Sequence, residues 1–246
     1  MHFWDWNRRK GLRWYSCQFP QQREDTSMLG EITPCYAVLD EKYICEIKNL
    51  FPKVKLIFIA RDLVDRAWSA LLMELRNNVK GLDAGVFAKG NDAINTRELE
   101  KIDRDSNPNQ YDDSYFMDRL MHSTHSSRSN YAKSIRLWLK HFPKNQLLIL
   151  DYNDVSNKPR DLLSEVCRHI GVDSDKYIQS FEDDTLSERV NAAAGKIRYT
   201  IKPSLRRKII SYLTPFAQEF NELLSELGYK WRLNDYSDEC LNGKDL

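Results

Sequence analysis

The chain has 246 residues, of which 30% are charged, and its basic and acidic side chains almost cancel to a net charge of +1. A chain of this length can bury a full hydrophobic core, and a single domain with excursions is expected. The near-neutral charge argues against a general nucleic-acid binder, although it does not exclude local basic patches. No apolar run in the sequence is long enough to span a bilayer.

The N-terminus and the cysteines bear on the compartment and on metal binding. The first residues, MHFWDWNRRKGLRWY, contain no apolar signal core, so the chain as given is expected in the cytoplasm. The five cysteines form no CxxC pair and leave one over, which favours free thiols in a reducing compartment. No Cys/His group has zinc-ligand spacing, and no metal is expected; His122 and His125 are predicted to be solvated histidines of a Ser/Thr-rich loop.

The central segment of the chain predicts a strand, a tight turn and a helix. Residues 37–51 first show helical spacing and end at Pro52, and the apolar run 54–60 then predicts a buried strand of a parallel sheet. Asp62 is a good N-cap for the helix that follows. In an open α/β sheet this turn lies at the ligand-binding edge, so Arg61 stands where helix amides and a guanidinium could hold an anion, with Ser69 about two turns further on. The alternative is that Arg61 pairs with an acidic neighbour and that Ser69 is only a small helix residue.

Residues 77–127 are rich in Gly, Asn and Asp, and they predict a long surface excursion. Short helices are expected within it, near 96–103 and 113–121. Such an insertion can form a lid or a wall of a substrate site, and a merely flexible loop is the alternative.

Regular elements resume after the excursion. A helix is predicted from 128 to Phe142, a second buried strand at 147–152, and another helix with Gly171 at its C′ position. A final helix is expected at 204–227, with a break at Pro215. This alternation predicts an α/β fold in which a mostly parallel sheet lies between two layers of helices.

The charge changes sign near the C-terminus. Residues 173–188 are acidic, whereas 191–218 contain no acidic residue and gather Lys196, Arg198 and other basic side chains. Basic loops at sheet edges bind phosphate well. The alternative, a solvated helix face, fits 206–208 better than it fits the GKIR loop.

Taken in order, these segments resemble the sulfotransferases that use 3′-phosphoadenosine 5′-phosphosulfate (PAPS), and most closely the heparan-sulfate-type branch with its bacterial relatives. The likeness is carried by HFWD (2–5), KGLRWYSCQFP (10–20), EITPCY (31–36), RDLVDRAWS (61–69), NYAKSIRLWL (130–139), LDYND (150–154) and GKIRY (195–199). Each segment is weak alone, but the ordered set covers nearly the whole chain. The resemblance implies one domain, 1–246, with the three-layer, P-loop NTPase-like sulfotransferase fold.

The resemblance also implies roles for particular residues. In the family, the Arg and Ser of an RDPxxRxxS motif hold the 3′-phosphate of PAPS, which implies Arg61 and Ser69. A basic loop closes over the nucleotide, and its counterparts are Gly195, Lys196, Arg198 and Tyr199. The implied chemistry is in-line transfer of a sulfuryl group from PAPS, a co-substrate, to a hydroxyl or amine of a carbohydrate-like or other small acceptor, with a carboxylate as base and no metal. No nucleic-acid partner is implied, and the oligomeric state is open.

Several family features have no counterpart in the sequence. The first strand and its phosphate-cradling loop are absent, and the catalytic Glu would precede Met1, so no catalytic residue is assigned. The Lys of the family's EKTP motif is Ile32, and the Pro of RDP is Leu63. We expect a truncated, impaired sulfotransferase that is poorly stable or leaves sheet edges exposed. The alternatives are a non-catalytic homologue that binds nucleotide or glycan and, less favoured, His2 as a substitute base.

Overall fold

The computed structural model describes residues 1–20, 28–79, 107–178 and 199–237. Its helices are α1 (Gly11–Ser16), α2 (Glu41–Leu50), α3 (Leu63–Val79), α4 (Asp113–Met121), α5 (Ser123–Ser129), α6 (Tyr131–Leu139), α7 (Asn153–Asn157), α8 (Pro159–Ile170), α9 (Ser174–Ile178) and α10 (Pro203–Glu226). Its strands are β1 (Leu56–Ala60) and β2 (Leu147–Asp151). Shorter helical turns cover Phe3–Asn7, Arg8–Lys10, Pro34–Val38, Pro108–Gln110 and Lys144–Gln146.

The two described strands are parallel, as the sequence predicts. Leu56 lies opposite Leu147, and Ala60 lies opposite Asp151. The pairing continues one residue further, because the Tyr152 amide donates to the Ala60 carbonyl at 2.8 Å. Each strand leads directly into a helix, which confirms the α/β class.

The two strands differ in how their side chains are covered. In β2 the residues Leu148, Ile149 and Leu150 are all buried, as predicted for a strand between two layers. In β1, however, Ile57 and Ile59 remain 41% and 46% exposed. The prediction of a fully buried strand is therefore wrong for one face of β1. A continuous apolar run indicates a strand, but it does not determine what covers each face.

The final helix passes through Pro215 without the predicted break. The helix buries Leu213 and Ala217 on either side of the proline, and the Thr214 hydroxyl donates to the Ile210 carbonyl at 2.8 Å. Burial of this apolar face outweighs the lost backbone hydrogen bond. Beyond the helix Gly228 adopts a φ of 80°, which is the left-handed conformation that ends helices.

The far edge of β2 is covered by the residue that follows Gly228. The Tyr229 hydroxyl accepts a hydrogen bond from the Ile149 amide at 2.9 Å. Burial raises the pKa of Tyr229, so the hydroxyl stays protonated. This hydrogen bond joins the residue that follows the final helix to β2.

The chain divides into two compact units. The first unit comprises 1–60, 130–188 and 223–231. Its core contains the aromatic N-terminus, since Phe3 and Trp4 are fully buried together with Ile44 and Phe142. The aromatic cluster near the start of the chain therefore belongs to a hydrophobic core.

The second unit comprises 61–129, 189–222 and 232–246. Leu71 and Leu75 of α3 are buried in it, as are Phe116 and Leu120 of α4. The helix predicted at 113–121 is confirmed by α4, whereas the one near 96–103 lies outside the described residues. The stretch around His125, predicted as a loop, forms α5 instead.

In the part of the chain that the structure describes, none of the helices is both long enough and apolar enough to cross a membrane.

Candidate functional site

The turn between β1 and α3 places Arg61 at the start of the second unit. There the Asp62 carboxylate accepts from the Asp65 amide at 2.9 Å, which confirms Asp62 as the cap of α3. The Tyr236 hydroxyl accepts from the Val64 amide at 3.3 Å and donates to Asp62. Two amides of the first turn thus already have protein partners. An anion beside Arg61 would depend on side chains more than on helix amides, contrary to the initial expectation.

Ser69 lies on α3, eight residues after Arg61. Because α3 begins at Leu63, Ser69 lies about 9 Å along the helix axis from its first residue at ~1.5 Å per residue. The Ser69 side chain is exposed and that of Arg61 is partly exposed. Solvent therefore reaches both side chains at least in part. Their joint hold on one phosphate stays a prediction.

Tyr199, the last residue of the predicted basic loop, lies against α3. The Trp68 indole nitrogen donates to the Tyr199 carbonyl at 2.8 Å. Trp68 is itself held by an edge-on contact with Phe116, at 5.4 Å between ring centroids. This anchor brings the Tyr199 backbone to the residue just before Ser69. The other predicted loop residues, at 195, 196 and 198, lie outside the described residues.

A polar network fixes α3 against α4 and α5. Glu74 contacts the His125 Nε2 at 2.6 Å and the Arg119 Nε at 3.4 Å. About two helical turns before Glu74, Arg66 donates to the Ser129 hydroxyl at 2.5 Å. A helix held by several partly buried charges keeps its exposed residues in place. The network therefore determines where α3 presents Ser69.

His125 is a buried member of this network and not the solvated loop residue that the sequence predicts. Its exposure is 6%, whereas His122 is exposed. Burial lowers the pKa of His125 and outweighs the opposing effect of Glu74. The imidazole is thus neutral near pH 7 and accepts or donates within the protein.

Two basic residues of the C-terminal region serve contacts inside the second unit. Lys202 donates to the Tyr111 carbonyl at 3.1 Å. Lys208 pairs with Asp113 at 3.0 Å, and the side chains of the two residues are 55% and 16% exposed respectively. These two side chains therefore have structural partners within the second unit.

The first unit contains a second group of chemically active side chains, at its N-terminus. His2 Nδ1 lies 2.8 Å from an Asp5 carboxylate oxygen. The His2 ring stacks on Trp6 at 3.9 Å, with 7° between the planes. Candidate ligand atoms of His2, Asp5 and Cys35 all lie within 4.8 Å of one another. We call these three residues the N-terminal cluster.

Hydrogen bonds join the two segments that form the N-terminal cluster. The Tyr36 hydroxyl accepts from the Phe3 amide at 2.8 Å and from the Trp4 amide at 3.2 Å. Burial raises the pKa of Tyr36 to about 12, so the hydroxyl stays protonated. Sequence reasoning considered His2 only as a less favoured substitute base and gave no role to Asp5 or Cys35. The signal was present in the HFWD and ITPCY segments, but their contact depends on the tertiary fold.

Comparison with known proteins identifies relatives that match most of the chain. A family model described as a sulfotransferase domain matches residues 1–210. The mouse (Mus musculus) heparan sulfate glucosamine 3-O-sulfotransferase 3A1 is 24% identical over 232 residues, which is 89% of this chain. The human (Homo sapiens) 3B1 enzyme of the same description is 25% identical over 232 residues, again 89% of this chain. The chain spans about half the length of these curated relatives, 52% and 53% respectively.

A solved structure shares the fold. The sulfotransferase from Alicyclobacillus acidocaldarius matches with a TM-score of 0.57 and 17% identity. The match covers 88% of this chain and 72% of that one. At this identity the likeness concerns the fold alone, and it agrees with the α/β arrangement of the two parallel strands.

Proposed function

The chain belongs to the sulfotransferase domain family, and from this premise we propose that it transfers a sulfuryl group from PAPS to a hydroxyl or amine of a carbohydrate-like acceptor. The observation that carries the proposal is the family match across residues 1–210. The acceptor class is supported by the relatives, which are described as acting on heparan sulfate glucosamine. PAPS serves as a co-substrate in this proposal.

The donor nucleotide is assigned to the second unit. A guanidinium offers paired donors to a phosphate, and an exposed hydroxyl adds a further one, which suits Arg61 and Ser69 to a 3′-phosphate. The Tyr199 carbonyl is anchored to α3 through the indole of Trp68, the residue before Ser69. The chain that precedes Tyr199 carries Lys196 and Arg198, and we assign these side chains to the nucleotide's phosphates.

The transfer step makes one S–O or S–N bond to the acceptor and breaks the S–O bond to the phosphate. The acceptor's proton must pass to a base, and the family resemblance implies a carboxylate that would precede Met1. Among the described residues, the His2–Asp5 pair is suited to hold a proton, since Asp5 orients the ring through Nδ1. His2 as a substitute base remains the less favoured reading, because the family has a histidine there beside its glutamate.

A second function, non-catalytic binding of nucleotide or glycan, is favoured by one observation. Ile32 stands where the resemblance implies a lysine that helps position substrate or leaving group, and it is 94% exposed. An apolar side chain cannot stabilise the developing phosphate charge. The substitution is consistent with a homologue that binds the 3′-phosphate but does not catalyse sulfuryl transfer.

Nucleotide binding can be tested by calorimetry with 3′,5′-ADP and with 5′-AMP, which lacks the 3′-phosphate. We expect Arg61→Ala to weaken 3′,5′-ADP binding by about tenfold or more, because a hydrogen bond to a charged group contributes ~1.5–3 kcal/mol. Its effect on 5′-AMP should be small. Arg13→Ala, which removes an exposed arginine of the first unit, is the control and should leave both affinities unchanged.

Two results would contradict the assignment. One is the absence of 3′,5′-ADP binding by the folded chain. The other is an equal loss of both nucleotides in Arg61→Ala, since that would mean a general defect and not a lost 3′-phosphate contact.

Catalysis is tested separately by transfer of radiolabelled sulfate from PAPS to a panel of glycan and amine acceptors. The 246-residue chain and any longer form encoded upstream should be assayed together. Transfer to a glucosamine-containing glycan would support the enzyme. Binding of 3′,5′-ADP without transfer by either form would favour the non-catalytic alternative.

A further inference from the structure

We propose that the N-terminal cluster binds a divalent transition-metal ion, and that Zn²⁺ fits it best. The cluster offers an imidazole nitrogen, a carboxylate oxygen and a thiol sulfur, from His2, Asp5 and Cys35. These are the three donor types that zinc accepts in proteins. Within the described residues, no other group of three or more such side chains meets the same proximity criterion.

The spacing of the donor atoms suits a tetrahedral ion. They lie within 4.8 Å of one another. Around zinc, with bonds of ~2.0–2.3 Å, neighbouring ligand atoms lie about 3.3–3.8 Å apart. The His2–Asp5 separation of 2.8 Å must open by about 0.5 Å, and the Cys35 thiol starts no more than 4.8 Å from either partner. Side-chain rotations of this size do not require the backbone to move.

The surrounding contacts already orient the three side chains. The Trp6 amide donates to the second Asp5 oxygen at 3.0 Å, and the Trp6 ring stacks on that of His2. The bonds from the Phe3 and Trp4 amides to the Tyr36 hydroxyl fix the residue next to Cys35. Such outer contacts hold metal ligands in position.

Burial and charge also favour a cation at this position. The side chains of His2 and Asp5 are 19% and 12% exposed, and Cys35 is 9% exposed. A carboxylate and a thiolate together neutralise a divalent ion, and a partly desolvated setting strengthens that attraction. Three protein ligands leave a fourth position for water or another small ligand.

A second group of three residues in the first unit provides an internal control. Cys45 Sγ lies 3.5 Å from His141 Nδ1, and His141 also contacts Glu41 at 3.0 Å. This group offers the same three kinds of donor atom in the same unit, with a glutamate in place of the aspartate, but it falls outside the three-donor spacing of the N-terminal cluster. A metal bound merely by accessible thiols and imidazoles would not distinguish the two cysteines.

The proposal is tested by titrating the reduced, metal-free chain with Co²⁺, a spectroscopic substitute for Zn²⁺. We expect visible bands of tetrahedral cobalt and a near-ultraviolet band of thiolate-to-cobalt charge transfer, both abolished by added Zn²⁺. Cys35→Ser should lose the charge-transfer band, whereas Cys45→Ser should keep it. His2→Asn and Asp5→Asn should each weaken cobalt binding at least tenfold; asparagine tolerates the positive φ of 53° at position 2.

The wild-type spectrum alone can overturn the proposal, because the absence of a thiolate band in the folded protein excludes Cys35 as a ligand. Equal bands in Cys35→Ser and the wild type would overturn it as well. Far-ultraviolet circular dichroism of each variant separates ligand loss from unfolding. None of these measurements uses PAPS or an acceptor, so they succeed or fail independently of the proposed activity.

Discussion

At the scale of single residues, His125 links acidity to the stability of the second unit. Its pKa is lowered in the folded protein, chiefly by burial, whereas an unfolded histidine titrates near ~6.5. As the pH falls below about 6.5 the unfolded chain takes up a proton that the folded chain resists. The folded state is therefore stabilised above this range and loses that stability as the pH falls through the folded pKa.

We predict that the melting temperature falls between pH 7 and pH 5, and that His125→Gln flattens this dependence. The glutamine removes the titrating group while it can still donate to Glu74. His122→Gln, at an exposed position three residues earlier, should leave the slope of the wild type. Some slope will persist in His125→Gln, because burial also lowers the pKa of His169. Identical slopes in the two glutamine variants would contradict the prediction.

The misassigned histidine shows where sequence reasoning ends at this scale. A Ser/Thr-rich string is typical of a loop, and nothing near His125 in the chain indicates a partner. Its partner, Glu74, is 51 residues away. Arg61 and Ser69 could be selected because both belong to one strand–turn–helix segment, whereas the N-terminal cluster required two segments joined only by the fold.

At the scale of elements, the start of α3 depends on a residue near the other end of the chain. The Tyr236 hydroxyl links the Asp62 carboxylate to the Val64 amide. Burial raises the pKa of Tyr236, and the bond to Asp62 adds to this effect. The hydroxyl therefore remains a donor to the carboxylate across the physiological range.

We predict that Tyr236→Phe lowers the free energy of unfolding by about 1–3 kcal/mol, since it leaves two partly buried polar groups without this partner. Thermal and urea unfolding measure the change. Tyr43→Phe, which removes a hydroxyl from α2, is the matched control and should change stability by less than about 0.5 kcal/mol. Equal effects of the two substitutions would exclude a special role for the Tyr236 hydroxyl.

The sequence predicted half of this cap. Asp62 is recognisable because an N-cap lies next to the amides that it satisfies. Tyr236 is not, because 174 residues separate it from Asp62. At Pro215 the local signal was misleading. The proline predicted a break, but burial of the apolar face of α10 keeps the helix continuous.

At the scale of the whole molecule, the outer side of β1 is the exposed part of the sheet. Within the described residues, β1 has a strand partner only in β2. Because peptide groups alternate along a strand and Ala60 bonds towards β2, those of Ile57 and Ile59 point the other way. The side chains of these two isoleucines are exposed as well. An open apolar edge is prone to pair with another chain.

We predict that the double variant Ile57→Lys/Ile59→Lys raises the monomeric fraction of the purified chain, measured by size-exclusion chromatography with light scattering. Ile32→Lys is the control, since Ile32 is 94% exposed but does not lie in a strand. Equal gains in monomeric fraction from both variants would attribute association to general surface hydrophobicity.

We also expect the isolated chain to melt at a low temperature; a cooperative melt at a high temperature would contradict that expectation.

The α/β class followed from the alternation of apolar runs and helical periods, and the parallel pairing of β1 with β2 bears it out. The exposure of one face of β1 could not be predicted from the sequence, because an apolar run such as LIFIA is equally compatible with a strand that is covered on one face or on both. Coverage depends on which elements arrive from elsewhere in the chain, and local periodicity carries no information about that.

The position of Tyr229 determines on which side of the sheet a further strand could be added. A phenol oxygen takes the place that a strand's carbonyl would occupy beside the Ile149 amide. A strand added on that side would first have to displace the half-buried ring of Tyr229. On the β1 side, the described structure presents no equivalent obstacle to a strand. Extension of the sheet, by whatever segment supplies it, is therefore expected to proceed outward from β1.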